Sequence, residues 1–294
     1  METGGDEMGT KAFVSLACFL LLVCACQHAE TKMPETAELQ REWAVDDVIK
    51  HAQKALNDVE SFALAIESEQ TTSGKDDAVK TTTSTSELEI TKDPLAMHQK
   101  VTLTTRPDET VETEFYFVAE QLYVKDGNEQ RWFTYPRDFI DELIDIERIG
   151  KRVHDQLDLL KKYKENVTIV NEDDHFLLTI EGNSGEWLEL IQALSATISN
   201  HLDEELNELL SIATITDFSY TVAIDKETFL LTEMKMNLTL QLTVDKEKVT
   251  VQKTTTAKMK RVNEVEEIVV PDEVREQAEP FSLDVSEVEE SKAE

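Results

Sequence analysis

The chain reads as α+β, an antiparallel sheet with helices packed on it, and three observations predict that class. Residues 234–244, MKMNLTLQLTV, alternate without a fault between apolar and polar, the period-two pattern of a strand with one dry face. An Asp126-Gly127 pair stands between two short apolar and aromatic runs, which is the strongest short-range signal for a hairpin. Other stretches carry apolar residues at every third or fourth position, the spacing of one helix face.

The first helix is expected around Glu42 to Asp58, where Trp43, Val45, Val48, Ile49, Ala52, Leu56 and Val59 recur at helical spacing. Strands follow it. Phe62, Leu64 and Ile66 alternate, and Leu88 and Ile90 resume the pattern after SGKDDA. Val101 and Leu103 lie beyond Asp93-Pro94, and Val111, Phe115 and Phe117 follow an RPDE turn. Leu122 to Val124 and Trp132 to Tyr135 flank the Asp126-Gly127 turn. Strands joined in this way by short turns make an antiparallel meander, in which neighbours in sequence are neighbours in the sheet.

The middle of the chain turns helical. Phe139, Leu143, Ile146 and Ile149 share one face, Gly150 interrupts it, and Val153, Leu157, Leu160 and Tyr163 resume it. VTIV and FLLTI read as a hairpin around Asn171-Glu172-Asp173-Asp174. Asn183 and Glu186 are spaced as a capping pair ahead of a helix carrying Trp187, Leu190, Ile191, Leu194 and Ile198, with Leu202 to Leu210 open as its extension.

The last third is the clearest β signal. Phe218, Tyr220, Val222 and Ile224 alternate ahead of Asp225-Lys226-Glu227. The 234–244 run puts Met234, Met236, Leu238, Leu240, Leu242 and Val244 on one face and Lys235, Asn237, Thr239, Gln241 and Thr243 on the other. Val249 and Val251 begin another strand after Asp245-Lys246-Glu247. The threonine-rich runs at 81–86 and 254–256 are expected as outer positions exposed to water. The chain closes on EEIVVPDEV, and residues 282–294 read as an acidic, disordered tail.

At the other end, apolar residues run from Ala12 to Ala25, about fourteen positions, whereas a helix needs roughly 20 to cross a bilayer. Residues 1–25 therefore read as a signal peptide. METGGDEMGTK is acidic for its leading segment, and a start at Met8 would leave MGTK instead, so Met1 and Met8 both stand as the start. Leu22-Val23-Cys24-Ala25-Cys26 resembles a bacterial lipobox, with an aliphatic residue at −3 and a small one at −1 before the cysteine that is acylated. Cys24 fits less well as the acceptor, because bulky Val23 would then fill the small position. The alternative is an ordinary cleaved signal with incidental cysteines.

The lipobox resemblance implies a diacylglyceryl group on Cys26, and loss of Cys18 and Cys24 with the signal. The mature chain would then hold no free thiol and no disulfide. Two acyl chains, at roughly 0.8 kcal/mol per buried methylene, anchor a protein stably where one does not. Residues 26–41 are polar with no apolar period, a tether spanning on the order of 20 Å. The folded part, residues 42–281, has no Pro/Gly/Ser-rich seam and reads as one domain.

Charge and motifs exclude several classes of function. The chain has 61 acidic against 29 basic residues, a net charge of −32, whereas nucleic acid is bound through basic patches. The same charge opposes docking on anionic lipid head groups. Five glycines follow Gly9, none in a phosphate-cradling pattern, and Gly182-Asn183-Ser184-Gly185 lacks the frame of a nucleophile elbow. His28, His51, His98, His154, His175 and His201 show no metal-ligand spacing, and Asp76-Asp77 and Asp173-Asp174 read as turn residues. No catalytic residue, metal or cofactor is expected, and the protein reads as a non-enzyme.

The assembled pattern resembles a known family. The amphipathic first helix, antiparallel strands, central helices, long strands around I-D-K-E-T at 224–228, and closing I-V-V-P-D-E-V at 268–274 are similar to the LolA/LppX-like bacterial lipoproteins. These include lipoprotein carriers, mycobacterial lipid-transfer lipoproteins and uncharacterised lipoproteins of Gram-positive bacteria. The resemblance implies a strongly curved antiparallel sheet, an unclosed half-barrel, with helices on its concave side. It also implies a lipid-anchored protein on the extracytoplasmic face of a cell membrane that binds or carries a lipid or acyl chain. Phe115, Phe117, Phe218, Tyr220, Met234, Met236, Leu238 and Leu240 would line the cavity, where methionine adapts to a flexible ligand. The alternative is that this face packs solidly on the helices. The protein would then be a non-catalytic interaction or envelope-sensing lipoprotein whose acidic surface meets another protein.

Overall fold

Twelve strands make one sheet in the computed structural model, which describes residues 43–74, 79–106, 109–135, 152–183, 187–196, 210, 212–244 and 246–281. The strands are β1 (Ser61–Ser73), β2 (Val79–Lys92), β3 (Leu95–Arg106), β4 (Glu109–Val118), β5 (Gln121–Lys125), β6 (Trp132–Tyr135), β7 (Thr168–Asn171), β8 (His175–Gly182), β9 (Thr214–Asp225), β10 (Leu231–Val244), β11 (Glu247–Lys260) and β12 (Glu279–Pro280). The helices are α1 (Val45–Asn57), α2 (Arg152–Lys162), α3 (Leu188–Ala196) and α4 (Asp272–Gln277).

The sheet order is β12-β6-β5-β4-β3-β2-β1-β11-β10-β9-β8-β7. Two meanders, β1 to β6 and β7 to β11, are thus joined where β1 pairs with β11. All neighbours are antiparallel except β6 and β12, which are parallel. β12 and β7 sit at opposite ends of this order, so the sheet is open.

The described chain is mostly β rather than α+β. β2 and β11 run to 14 residues each because Ser/Thr-rich segments extend them beyond their apolar residues. Such segments suit a pleated strand but show no apolar period to count.

Register divides the sheet into two faces, since residues directly opposite each other in a ladder point the same way. One row of the inner face runs Leu122, Phe117, Met97, Ile90 and Phe62 across β5, β4, β3, β2 and β1. Another runs Met234, Val222 and Leu178 across β10, β9 and β8. These residues and Met259 of β11 share one hydrophobic core with Val48, Ile49, Ala52 and Leu56 of α1, Leu157 and Leu160 of α2, and Leu190, Ile191 and Leu194 of α3. Laid flat, the strands from β5 round to β8 would span roughly 40 Å. Three helices each about 10 Å wide share a core with all of them, so the helices cover the inner face of the sheet.

Local chemistry pins these elements. Trp43 lies 5.4 Å from both Phe176 and Phe229, tying the start of α1 to β8 and to the β9–β10 turn. In that turn the Asp225 carboxylate accepts hydrogen bonds from the backbone of Glu227 and Thr228, the Asx geometry that favours Asp at such positions. Gln53 of α1 donates to Asp158 of α2 at 2.7 Å.

The closing segment forms a strap over the other face. Ile268, Val270 and Val274 pack on Ala96, Tyr116, Tyr123 and Trp132 as a second, smaller core. Asn263, at φ 59°, clamps the strap's start. Its side-chain oxygen accepts from the backbone of Glu60 at 2.7 Å, and its own N–H donates to the Ser61 carbonyl at 2.7 Å. Sequence patterning gave IVVPDEV no partner.

The expected helix over Phe139 to Gly150, the Glu186 cap partner, Ile198, Leu202 to Leu209, residues 1–42 including Cys26, and the tail at 282–294 lie outside the described residues. No helix among the described residues is long and apolar enough to cross a membrane.

Candidate functional site

Of the eight positions expected to line a cavity, Phe117, Phe218, Tyr220, Met234, Leu238 and Leu240 belong to the inner-face core, and Met236 packs half-buried against it. Phe218 faces Leu238 across the β9–β10 ladder, and Tyr220 faces Met236. Phe115 stands in register with Gln99 and Val124 on the same face, but it is only half-buried and is not part of that core.

The β9 part of this face is closely covered. The Trp187 ring lies 6.4 Å from that of Phe218, and the Tyr220 hydroxyl donates to Gln156 of α2 at 3.1 Å. Burial pushes the Tyr220 phenol well above its ordinary pKa. Gly182 is opposite Phe218, and the indole nitrogen of Trp187 would lie 1.8 Å from a Cβ at position 182. Glycine there is what lets the indole approach the strand so closely.

Further along the same strands the chemistry of the inner face changes. By register its next positions are Ser68, Gln70 and Thr72 on β1, Ser86, Ser84 and Thr82 on β2, and Thr255, Lys253 and Val251 on β11. All except Gln70 are half-buried. Ser68 and Thr255 are hydrogen-bonded at 3.1 Å, and Gln99 donates to Ser86 at 2.8 Å.

The expectation that the threonine-rich runs face outward is therefore half wrong. Thr81, Thr83, Thr85 and Thr254 are exposed, whereas Thr82, Ser84, Ser86 and Thr255 turn inward. Strand geometry sends alternate residues to opposite faces, and a run of like side chains does not show which is which. Met97, Met259 and Lys253 were also missed as inner-face residues. Lys253 follows Val249 and Val251 at intervals of two, so extending that strand by one pleat would have placed it.

The outer face carries a cleft of about 370 Å³ under the strap, lined among others by Glu89, His98, Tyr116, Arg261, Glu264 and Glu266. His98 Nε2 lies 2.8 Å from Glu114 Oε1, Nδ1 lies 3.7 Å from Glu89, and the ring stacks 4.3 Å from Tyr116. The Tyr116 hydroxyl donates to Glu114 at 3.0 Å, and Arg261 hydrogen-bonds Glu89.

Burial pushes both carboxyls up. Hydrogen bonds from Arg261 to Glu89, and from His98 and Tyr116 to Glu114, outweigh it and hold each below its ordinary range. The floor of the cleft is thus a paired network that ties β2, β3 and β4 to the end of β11. No group of three or more His, Cys, Asp or Glu among the described residues could hold a metal ion.

A family model described as a family of unknown function (DUF6612) matches residues 44–279, from the start of α1 to β12. The chain belongs to the DUF6612 family. No curated protein matches this DUF6612 chain.

Solved structures align with it at low identity. A DUF1329-family protein of Desulfovibrio piger is 9% identical over 74% of this chain and 91% of its own, with a TM-score of 0.26. A LolA-superfamily protein of Nitrosomonas europaea is 8% identical over 79% and 97%, with a TM-score of 0.20. A beta-barrel-like DUF1849 protein of Brucella abortus is 7% identical over 69% and 99%, with a TM-score of 0.19. One of these belongs to the superfamily that the sequence resembles. The open sheet stands on its own strand order, with β12 and β7 at opposite ends.

Proposed function

We propose that this DUF6612 protein is a lipoprotein anchored through Cys26 to the extracytoplasmic face of a membrane, and that its open sheet binds a lipid or acyl chain on the inner face. Its role is binding rather than catalysis. The observation that carries the reading is the two-part inner face. A core that spans β5 to β8 passes into a half-buried stretch of Ser, Thr and Lys on β1, β2 and β11. A face made only to seat helices needs no half-buried polar margin, whereas an amphiphile with an apolar chain and a polar end matches both parts.

The test is thermal unfolding with and without a panel of fatty acids and phospholipids, beside native mass spectrometry of protein extracted from its own membrane. A ligand at a hundred times its Kd adds about 2.7 kcal/mol of stability, so the melting temperature is expected to rise and a lipid to co-purify. No shift across the panel and no co-purifying lipid would overturn the binder.

The anchor has a test of its own. Cys26→Ser is expected to leave the protein unprocessed or released from the membrane fraction. Retention through mature residues alone would refute the lipid anchor.

The close packing of Trp187 on Phe218 favours a second reading, a non-catalytic interaction or envelope-sensing lipoprotein with a solid core. A filled interior leaves only the acidic exterior for contacts, and that reading stands if the lipid panel is silent.

A further inference from the structure

Acidic residues outnumber basic ones 61 to 29 in this chain, yet few of them stand at inward positions of the long strands. By register, no inward position of β1, β2, β3, β9 or β10 is Asp or Glu, and on β11 the first residue, Glu247, alone is. In the middle of β11 the face carries a cation. Lys253 stands opposite buried Leu238 of β10 on one side and Gln70 of β1 on the other. Val251 and Thr255 flank it on the same face, and Thr255 is hydrogen-bonded to Ser68.

Among the described residues, the other lysines at inward strand positions are compensated or lie at a strand tip. Lys92 donates to the Leu56 carbonyl at 3.2 Å, and Lys80 is exposed near the start of β2. Lys253 is half-buried, with no ion pair or hydrogen bond to its ammonium among the described residues. Burial lowers its pKa. A buried charge without a partner is costly, and a chain this rich in carboxylates could readily have supplied one at Gln70 or Thr255.

We propose that Lys253 binds the anionic head of the ligand, which makes that ligand an anionic amphiphile: an acyl chain ending in a carboxylate or phosphate. The chain lies along the half-buried apolar positions beside Lys253, Val251 of β11 and Met236 of β10. The head meets the Lys253 ammonium, with the Gln70 amide and the Ser68 and Thr255 hydroxyls as further donors. This rests on the reading that the inner face binds an apolar ligand.

The experiment measures binding of palmitate, a monoacyl phosphate, the chain-matched alcohol, acetate and inorganic phosphate to the mature chain and to Lys253→Met and Lys253→Arg. Wild type is expected to bind palmitate or the monoacyl phosphate about tenfold more tightly than the alcohol, the scale of one hydrogen bond to a charged group. The tighter of the two identifies the head. Lys253→Met keeps an apolar stem and should bind alcohol as wild type does while losing the preference for the anion. Lys253→Arg should keep that preference.

A preference that survives in Lys253→Met would overturn the assignment and leave the binder intact. Acetate or phosphate alone binding as tightly as the amphiphiles would overturn it in favour of a plain ion site. Failure of wild type to bind palmitate, monoacyl phosphate and alcohol alike would overturn the apolar-ligand reading itself, and the inference with it.

Discussion

Phe218→Ala is expected to cost the domain about 3–5 kcal/mol, the range for removing a fully buried aromatic ring. Phe218 has no exposed surface. The cost of such a cavity depends on how well the neighbours can close it, and here they are fixed. On β8 the residue opposite is Gly182, which has no side chain to lean in. On β10 it is Leu238, held in the ladder. Trp187 could close the hole from above only by lifting off Gly182, where its indole already makes close contact. Against a typical total of about 5–15 kcal/mol, such a loss leaves the variant marginal. Urea unfolding followed by tryptophan fluorescence measures it. A loss below about 1 kcal/mol would mean that the Phe218 pocket is loosely filled and the core account of this face is wrong.

The parts of the fold legible in the sequence are those whose pattern repeats within a few residues. β9 and β10 were readable because Phe218, Tyr220, Val222 and Ile224, then Met234 to Leu242, alternate in unbroken series. The β5–β6 hairpin was readable from Asp126-Gly127, and α1 from Val48, Ile49, Ala52 and Leu56. What local pattern does not hold is pairing across the chain. Nothing near Leu64 signals that β1 lies between β2 and β11, with Met259 opposite Leu64, although that pairing joins the two meanders.

The candidate site divides along the same line. Period two correctly grouped Met234, Leu238 and Leu240 on one face, because each lies in a strand whose polar face is unambiguous. It could not say how far along β4 the core reaches, and Phe115 lies beyond it. It was blind in the Ser/Thr runs, where inward Thr82 and outward Thr83 look alike. Lys253 is the sharpest case. A charged residue in a strand reads as outward by default, although the pleat counted from Val249 and Val251 turns it inward, as its register with buried Leu238 does.

Removing the strap should have the largest effect of all. A chain ending at Arg261 is expected to lose cooperative folding, because the strap is structural cover rather than a tail. Ile268, Val270 and Val274 are each more than nine-tenths buried, and at about 1.5–3 kcal/mol per buried aliphatic side chain the three together supply roughly 5–9 kcal/mol. Their removal also uncovers Tyr116, Tyr123 and Trp132, which the strap seals on the outer face.

Other losses follow from the same cut. The Asn263 clamp on Glu60 and Ser61 goes, freeing the turn between α1 and β1. So does β12, whose parallel pairing covers β6. Phe281, stacked 4.4 Å from Tyr135, leaves with it. An exposed edge beside an uncovered aromatic patch is an aggregation template, so the truncated chain should bind a hydrophobic dye and melt without a sharp transition. Val270→Asp in the full chain makes the same point with one residue, because it places an unpaired charge against the Tyr116 to Trp132 cluster. Should the truncated chain melt cooperatively at the wild-type temperature, the outer core contributes nothing and the sheet stands on its inner face alone.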